Sequence, residues 1–269
     1  MGSDEKQLEV KEKIIIQITD THLMDDPNAD FVQVNPEQSF HAVIEDILAK
    51  FPHIDAIVHT GDLAQVAKPE TYQRYQAFMA KLNIPFYQVP GNHDHPAFFP
   101  FYQPEPNVGV LSFGNWRICL INTAVHGKID GWIQSEQLQQ LKIILQNQQN
   151  THVILACHHH PLDMQSKWID RHKLKNTHEL QQILTEFDNI KLVICGHVHQ
   201  DSLHVWKTIQ FFSTPSTSVQ FKPLSDDFAL DNIAPGYRSL HLKENGEFTT
   251  QVHRLQNFVQ HINKEISGY

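Results

Sequence analysis

The chain has 269 residues, 41% hydrophobic and 10% aromatic, enough for a sizeable core; disorder and a disulfide-stapled mini-protein are excluded. Thirty acidic residues against 21 basic ones give a formal charge of −9. A protein that grips a phosphate backbone carries the opposite balance, so nucleic acid is not an expected partner.

In chain order, short apolar runs at 14–18, 56–59, 86–89, 118–121, 153–157 and 192–195 have the length and β-branched content of buried strands. Helices are predicted between them over 37–50, 70–82, 135–148 and 177–187. The second carries Tyr72, Tyr75, Phe78, Met79 and Leu82 on one stripe, and Ser135 is placed as N-cap of the third. Strand–helix alternation predicts α/β layering. After residue 200 the pattern changes to strands at 202–206, 208–212, 216–221, 237–242 and 248–253, read as a second, mostly antiparallel sheet packed on the first. No repeat or linker divides the chain, so a single domain over 1–269 is expected. Residues 1–13 would be a flexible N-terminus, and 257–269 a tail that is either a docked helix or loose.

Cys119, Cys157 and Cys195 show no CxxC spacing, and three thiols cannot all pair within one chain; a cytoplasmic location fits. The first residues are charged and polar rather than signal-like, and no apolar run approaches the ~20 residues of a bilayer span. Neither membrane nor nucleic acid is expected as a partner, and the oligomeric state stays open between monomer and homodimer. Histidine is abundant, with 19 copies in partial clusters.

The polar residues after the buried runs carry the functional signal. Residues 14–18 lead into Asp20-Thr21-His22, 56–59 into Gly61-Asp62, and 86–89 into Gly91-Asn92-His93-Asp94. Then 153–157 lead into His158-His159-His160 and 192–195 into Gly196-His197-Val198-His199. Ligand sites in α/β folds gather beyond the carboxyl ends of strands, so these groups are expected along one sheet edge. Each motif alone is also a common turn or cap; five in strand-end positions are not explained by turns. Carboxylate, amide and imidazole donors without thiolate suit Mn, Fe, Zn or Co, and seven donors suffice for two ions with a bridging carboxylate.

These blocks resemble the signature of the calcineurin-like metallophosphoesterases, most closely the bacterial class III 3′,5′-cyclic AMP phosphodiesterases. The closer likeness rests on residues 17–23, 158–162, 214–223, 233–236 and 252–255. The resemblance implies a four-layered α/β/β/α sandwich with two mixed sheets. It implies a first metal on Asp20, His22 and His199, a bridging Asp62, and a second metal on Asn92, His158 and His197. The ions would be Fe²⁺ or Mn²⁺, with Zn²⁺ or Co²⁺ as alternatives. His93 corresponds to the family's catalytic histidine beside the phosphate, which would contact His22, Asp62, Asn92, His93, His158 and His199. The expected reaction opens cyclic AMP to 5′-AMP by attack of a metal-bridging hydroxide, His93 protonating the 3′-oxygen.

His159 and His160 are expected to be loop or supporting groups, and Asp94 to orient an imidazole. Trp168, Arg171, His172 and Asn176 follow His158 in a stretch read either as a base pocket or as a solvated loop. Phe98, Phe99, Phe101 and Tyr102 pose the same choice between a pocket wall and packing. The alternatives are a related enzyme acting on a glycerophosphodiester or nucleotide-linked lipid headgroup, and a non-catalytic interaction module of the same fold. The filled ligand positions disfavour the last.

Overall fold

A computed structural model describes residues 12–101, 107–256, 258, 266 and 268. Residues 1–11, Tyr102 and most of the predicted tail lie outside the described residues. The first half runs β1 (Glu12–Ile18), α1 (Pro36–Lys50), β2 (Ala56–His59), α2 (Pro69–Ala80), β3 (Phe86–Gln88), β4 (Gly109–Phe113), β5 (Trp116–Leu120) and α3 (Ser135–Asn147). The second half runs β6 (His152–Ala156), α4 (Lys167–Asp170), α5 (Thr177–Leu184), β7 (Ile190–Cys195), β8 (Ser202–Trp206), β9 (Ile209–Ser213), β10 (Gln220–Phe221), β11 (Leu230–Asp231), β12 (Gly236–Lys243) and β13 (Phe248–Arg254).

Two mixed sheets carry the fold, in the orders β13-β12-β1-β2-β3 and β4-β5-β6-β7-β9-β8. β1, β2 and β3 are mutually parallel, as are β5, β6, β7 and β9. The strands after residue 200 do not form the second sheet that the sequence predicts; only the short β10 and β11 pair with each other alone. β8 and β9 extend the six-stranded sheet, while β12 and β13 add antiparallel to β1. Hydrophobic pattern fixes which face of a strand is buried but not which neighbour it pairs with. Of the predicted strand 216–221 only Gln220–Phe221 pairs, because the chain before it spends its polar groups elsewhere. Thr217 N donates to Thr19 O, and Gln220 Nε2 to the carbonyls of Ser216 and Ser218.

Three apolar layers hold four structural ones. α1 and α2 pack on the outer face of the five-stranded sheet through Phe40, Ile44, Tyr72, Tyr75 and Met79. α3 and α5 cover the other sheet through Leu138, Leu141, Leu145, Leu180 and Leu184. Ile15, Val58, Trp116, Ile154, Ile194 and Leu240 fill the space between the sheets. This is the α/β/β/α layering that the resemblance implied. Local chemistry sets the helix starts. Pro36 opens α1 behind Asn35, whose side chain accepts from Gln38 N at 2.8 Å. Ser135 is not a cap: Gln134 precedes α3, and the Ser135 hydroxyl turns to Glu136. No helix among the described residues is long and apolar enough to cross a membrane.

Candidate metal centre

The five polar segments meet, but not along one sheet edge. Those after β1, β2 and β3 belong to the five-stranded sheet and those after β6 and β7 to the other, so the centre lies where the carboxyl ends of both sheets converge. Short ladders fix the loops: Asp20 N donates to Gly61 O, His22 N to Asp62 O, and Gly196 N to His158 O. Gly196 lets the sheets touch here, since a Cβ on it would stand 2.1 Å from Thr19 Oγ1 and 2.6 Å from Asp20 Oδ2. Gln17 bridges the same gap, donating to Thr60 Oγ1 on one side and Cys195 O on the other.

Asp20, Asp62, His22, His158, His197 and His199 are all buried. His199 Nε2 lies 3.3 Å from Asp20 Oδ1, His158 Nε2 3.3 Å from Asp62 Oδ2, and His22 Nε2 3.8 Å from Asp62 Oδ2. Asn92 Oδ1 is 3.2 Å from His158 Nε2. Asp20, His22, Asp62, His197 and His199 all adopt positive φ, between 48° and 68°. Such backbone costs about 1–3 kcal/mol per residue, and its concentration in one constellation marks a functional site.

The imidazoles are oriented from behind. Carbonyl oxygens of Thr60 and Val219 accept from the Nδ1 atoms of His158 and His199, and Gln65 Oε1 accepts from His22 Nδ1. Each Nε2 then faces inward, as it does in metal-ligating histidines. His22 Nε2 and His199 Nε2 stand 3.1 Å apart, two lone pairs that repel each other unless a cation shares them. His197 Nε2 is buried and has no hydrogen-bond partner among the described residues. Burial drives His22 down to about 3 and His197 well below the usual imidazole range, against the pull of Asp62, so both are neutral donors. Burial opposes the charge on Asp62, yet His158 and His93 hold its carboxyl well below the usual range. Burial opposes charge on His158 as well, but Asp62 pulls it up to about 9, so a cation there would take the place of that proton; with the neutral nitrogens of His22 and His197 and the ionised carboxylates, the set fits a pair of divalent cations.

His93 donates its backbone N–H to Asp62 Oδ1 at 2.8 Å and sets its ring edge-on to His22. Together with Asp62, Asn92, His197 and His199 it lines a cavity of about 500 Å³, the size range of small-molecule sites. Trp168, Arg171 and His172 line the same cavity. Trp168 stands on α4 rather than in a loop and packs against Phe221 and Phe228.

Two expectations need correction, and one open choice falls to packing. Asn176 does not face the cavity: its amide donates to Ile133 O and accepts from Ile133 N, pinning that segment. Asp94 orients no imidazole; it accepts from Leu63 N, Ala64 N, Gly91 N and the Tyr72 hydroxyl, locking two ligand loops together. Phe99 and Phe101 are packing residues against Tyr72 and Phe86, and Phe98 stacks on His95. The sequence reading missed Phe221, stacked on His199 at 3.9 Å and 7°, and Phe31, stacked on His22. It also missed Gln65 and the lining residues Lys128, Asp226 and Phe228. Phe221 lies in the 214–223 stretch that carries part of the resemblance; the others sit in loops with no pattern of their own.

The profile of the calcineurin-like phosphoesterases matches residues 14–201. The chain is 40% identical over 245 residues to the 3′,5′-cyclic adenosine monophosphate phosphodiesterase CpdA of Vibrio vulnificus, covering 90% of this chain and 89% of that one. Identity and coverage are the same with CpdA of Escherichia coli K12. Among solved structures, a dimetal phosphatase from Danio rerio superposes with a TM-score of 0.60 at 14% identity, over 88% of this chain and 98% of that one; the likeness there is one of fold.

Proposed function

The chain belongs to the calcineurin-like phosphoesterase family, and from that premise we propose that it is a dinuclear-metal phosphodiesterase converting 3′,5′-cyclic AMP to 5′-AMP. One observation carries the reading. A protein similar over nine-tenths of its length to named cyclic AMP phosphodiesterases gathers inward-facing nitrogen and carboxylate donors at the floor of a nucleotide-sized cavity.

Asp20, His22 and His199 would hold one ion, Asn92, His158 and His197 the other, with Asp62 shared. When bound, the two ions supply positive charge for the phosphoryl oxygens and lower the pKa of water at the site. The mixed set accepts Fe²⁺, Mn²⁺, Zn²⁺ or Co²⁺; Fe²⁺ or Mn²⁺ is the choice that the family resemblance implies. His22, Asp62, Asn92, His93, His158 and His199 surround the position of the phosphate. Water adds to phosphorus opposite the 3′-oxygen, the P–O3′ bond breaks, and His93 delivers a proton to the departing alkoxide. The backbone bond from His93 to Asp62 fixes that ring relative to the ligand cage. Trp168, Arg171 and His172 take the nucleoside side of the cavity. Burial keeps the thiols of Cys119 and Cys157 protonated, each pushed up to about 12, and all three cysteines are unpaired, which supports a cytoplasmic setting.

Steady-state rates on cyclic AMP, other cyclic nucleotides and glycerophosphodiesters, after reconstitution with Fe, Mn and Zn in turn, test the substrate. His93→Ala keeps both metals and loses about 10²–10⁴-fold in turnover, whereas Asp62→Ala loses metal as well as activity. Parent-like hydrolysis by both variants overturns the assignment.

A further inference from the structure

Of the three consecutive histidines after β6, all buried, the first contributes to the cage; the rings of the other two lie beside His197, and their nitrogens reach to two different segments. His159 accepts from the Thr123 hydroxyl at Nδ1 (2.8 Å) and donates from Nε2 to Ile129 O (2.9 Å), and its backbone N–H returns to Thr123 Oγ1. Both ring nitrogens are therefore committed to the segment that carries Lys128 and Ile129 into the cavity. Gly131 lies flat on the same ring, where a Cβ would come within 2.4 Å of His159 Cγ.

His160 holds the second segment. Its Nε2 donates to Asp170 Oδ1 at 3.3 Å, and its carbonyl accepts from Leu174 N. Asp170 in turn accepts from Met164 N and Ser166 N, closing the turn that leads into α4 and presents Trp168 and Arg171. His160 Nδ1 has no partner among the described residues, so the Asp170 contact is the ring's polar tie. The two segments are also laced to each other: Gly131 N donates to Lys173 O, Lys175 N to Gly131 O, and His172 Nδ1 pairs with Asp130.

We infer that His159 and His160 are positioning residues that tie both nucleoside-side walls of the cavity to the strand end bearing His158, setting substrate affinity and base discrimination without binding metal. His159 has a nitrogen close enough to those of His158 and His197 to form a ligand triad, but both of its nitrogens are already occupied by protein partners. Three residues in a row thus couple the reacting centre to the surfaces that recognise the rest of the substrate.

The inference rests on the phosphodiesterase reading, and the test separates the two. Wild type, His159→Ala, His159→Gln, His160→Ala and His160→Gln are reconstituted with Mn²⁺. Each is measured for metal per chain, for kcat and KM on cyclic AMP and cyclic GMP, and for turnover of bis(p-nitrophenyl) phosphate, a diester without a nucleoside. Each alanine variant should raise KM for cyclic AMP by about 10-fold, the cost of a lost buried hydrogen bond, and narrow the preference between the two bases. Metal content and turnover of the simple diester stay near wild type. Glutamine, which keeps an Nε2 donor, recovers most of the affinity. Thr123→Val, which strips His159 of its hydroxyl partner and leaves both histidines in place, should reproduce the KM effect if the alanine variants are insoluble. Metal loss in the His159 variants, or a fall in kcat with KM unchanged, overturns the inference. Failure of the wild type itself to hydrolyse cyclic nucleotides overturns the functional reading instead.

Discussion

Gly91→Ala moves a proposed ligand without deleting it. A Cβ at residue 91 would lie 2.1 Å from Asp62 Oδ1, 2.3 Å from Asp62 N and 2.7 Å from Asp62 Cγ. Because the backbone nitrogen is among the clashing atoms, no rotamer of Asp62 relieves the contact. Ordinary contact begins near 3.4 Å, so the loop after β2 and the loop after β3 must part by roughly 1 Å, a displacement that costs about 100-fold when it falls on a catalytic constellation. The shift also pulls on the backbone bond from His93 N to Asp62 Oδ1 and on the bond from Gly91 N to Asp94 Oδ2. We expect kcat/KM on cyclic AMP to fall by about two orders of magnitude, with metal per chain reduced. Gly109→Ala is the control: on the edge strand β4 its Cβ would meet Leu120 at an ordinary 3.4 Å, and both quantities stay at wild-type values. A Gly91→Ala protein with unchanged kcat/KM and full metal would refute the shared-carboxylate role of Asp62.

Exhaustive chelation abolishes turnover and lowers the melting temperature, since ions bound at 100 times their Kd contribute about 2.7 kcal/mol to the folded state; adding back Mn²⁺ or Fe²⁺ restores both, and turnover that survives chelation contradicts the metal reading. Leu240→Ala, in the layer between the sheets, costs about 2–5 kcal/mol in urea unfolding, and a smaller loss means that this layer repacks. Asp55 is disfavoured as an anion by burial, but its bonds from Lys13 and Ile14 N outweigh this and hold its carboxyl below 3.8. Its depressed folded value contributes stability above the unfolded value that is lost as pH falls through the folded one. Asp55→Asn is accordingly less stable than wild type near neutrality, and the gap closes in acid; a gap that widens on acidification contradicts the sign.

Strand ends were legible because β1, β2, β6 and β7 are largely buried and read as short, mainly apolar runs that lead into polar segments. The helices of the first half were legible for the same reason, their stripes matching a period of 3.6. β4 escaped because its residues alternate between half-buried and exposed, starting from Gly109. α4 has four residues, too few for a period to show. Pairing was illegible for a different reason: nothing in the composition of Tyr237 or Leu240 says that their strand lies beside β1. At the site, side-chain donors announced themselves by type and position. Their supports did not, because the groups orienting His158 and His199 are backbone carbonyls of Thr60 and Val219, which every residue possesses.

Glu12 pairs with Lys243, and the carbonyl that sets the tautomer of His199 comes from Val219. A ribosome that has released every proposed donor through His199 has also released Gln65 and Thr60, which aim His22 and His158, but still retains Val219, which aims His199. The last imidazole of the centre is therefore aimed only once synthesis has passed residue 219, and β1 gains its antiparallel neighbour β12 later still.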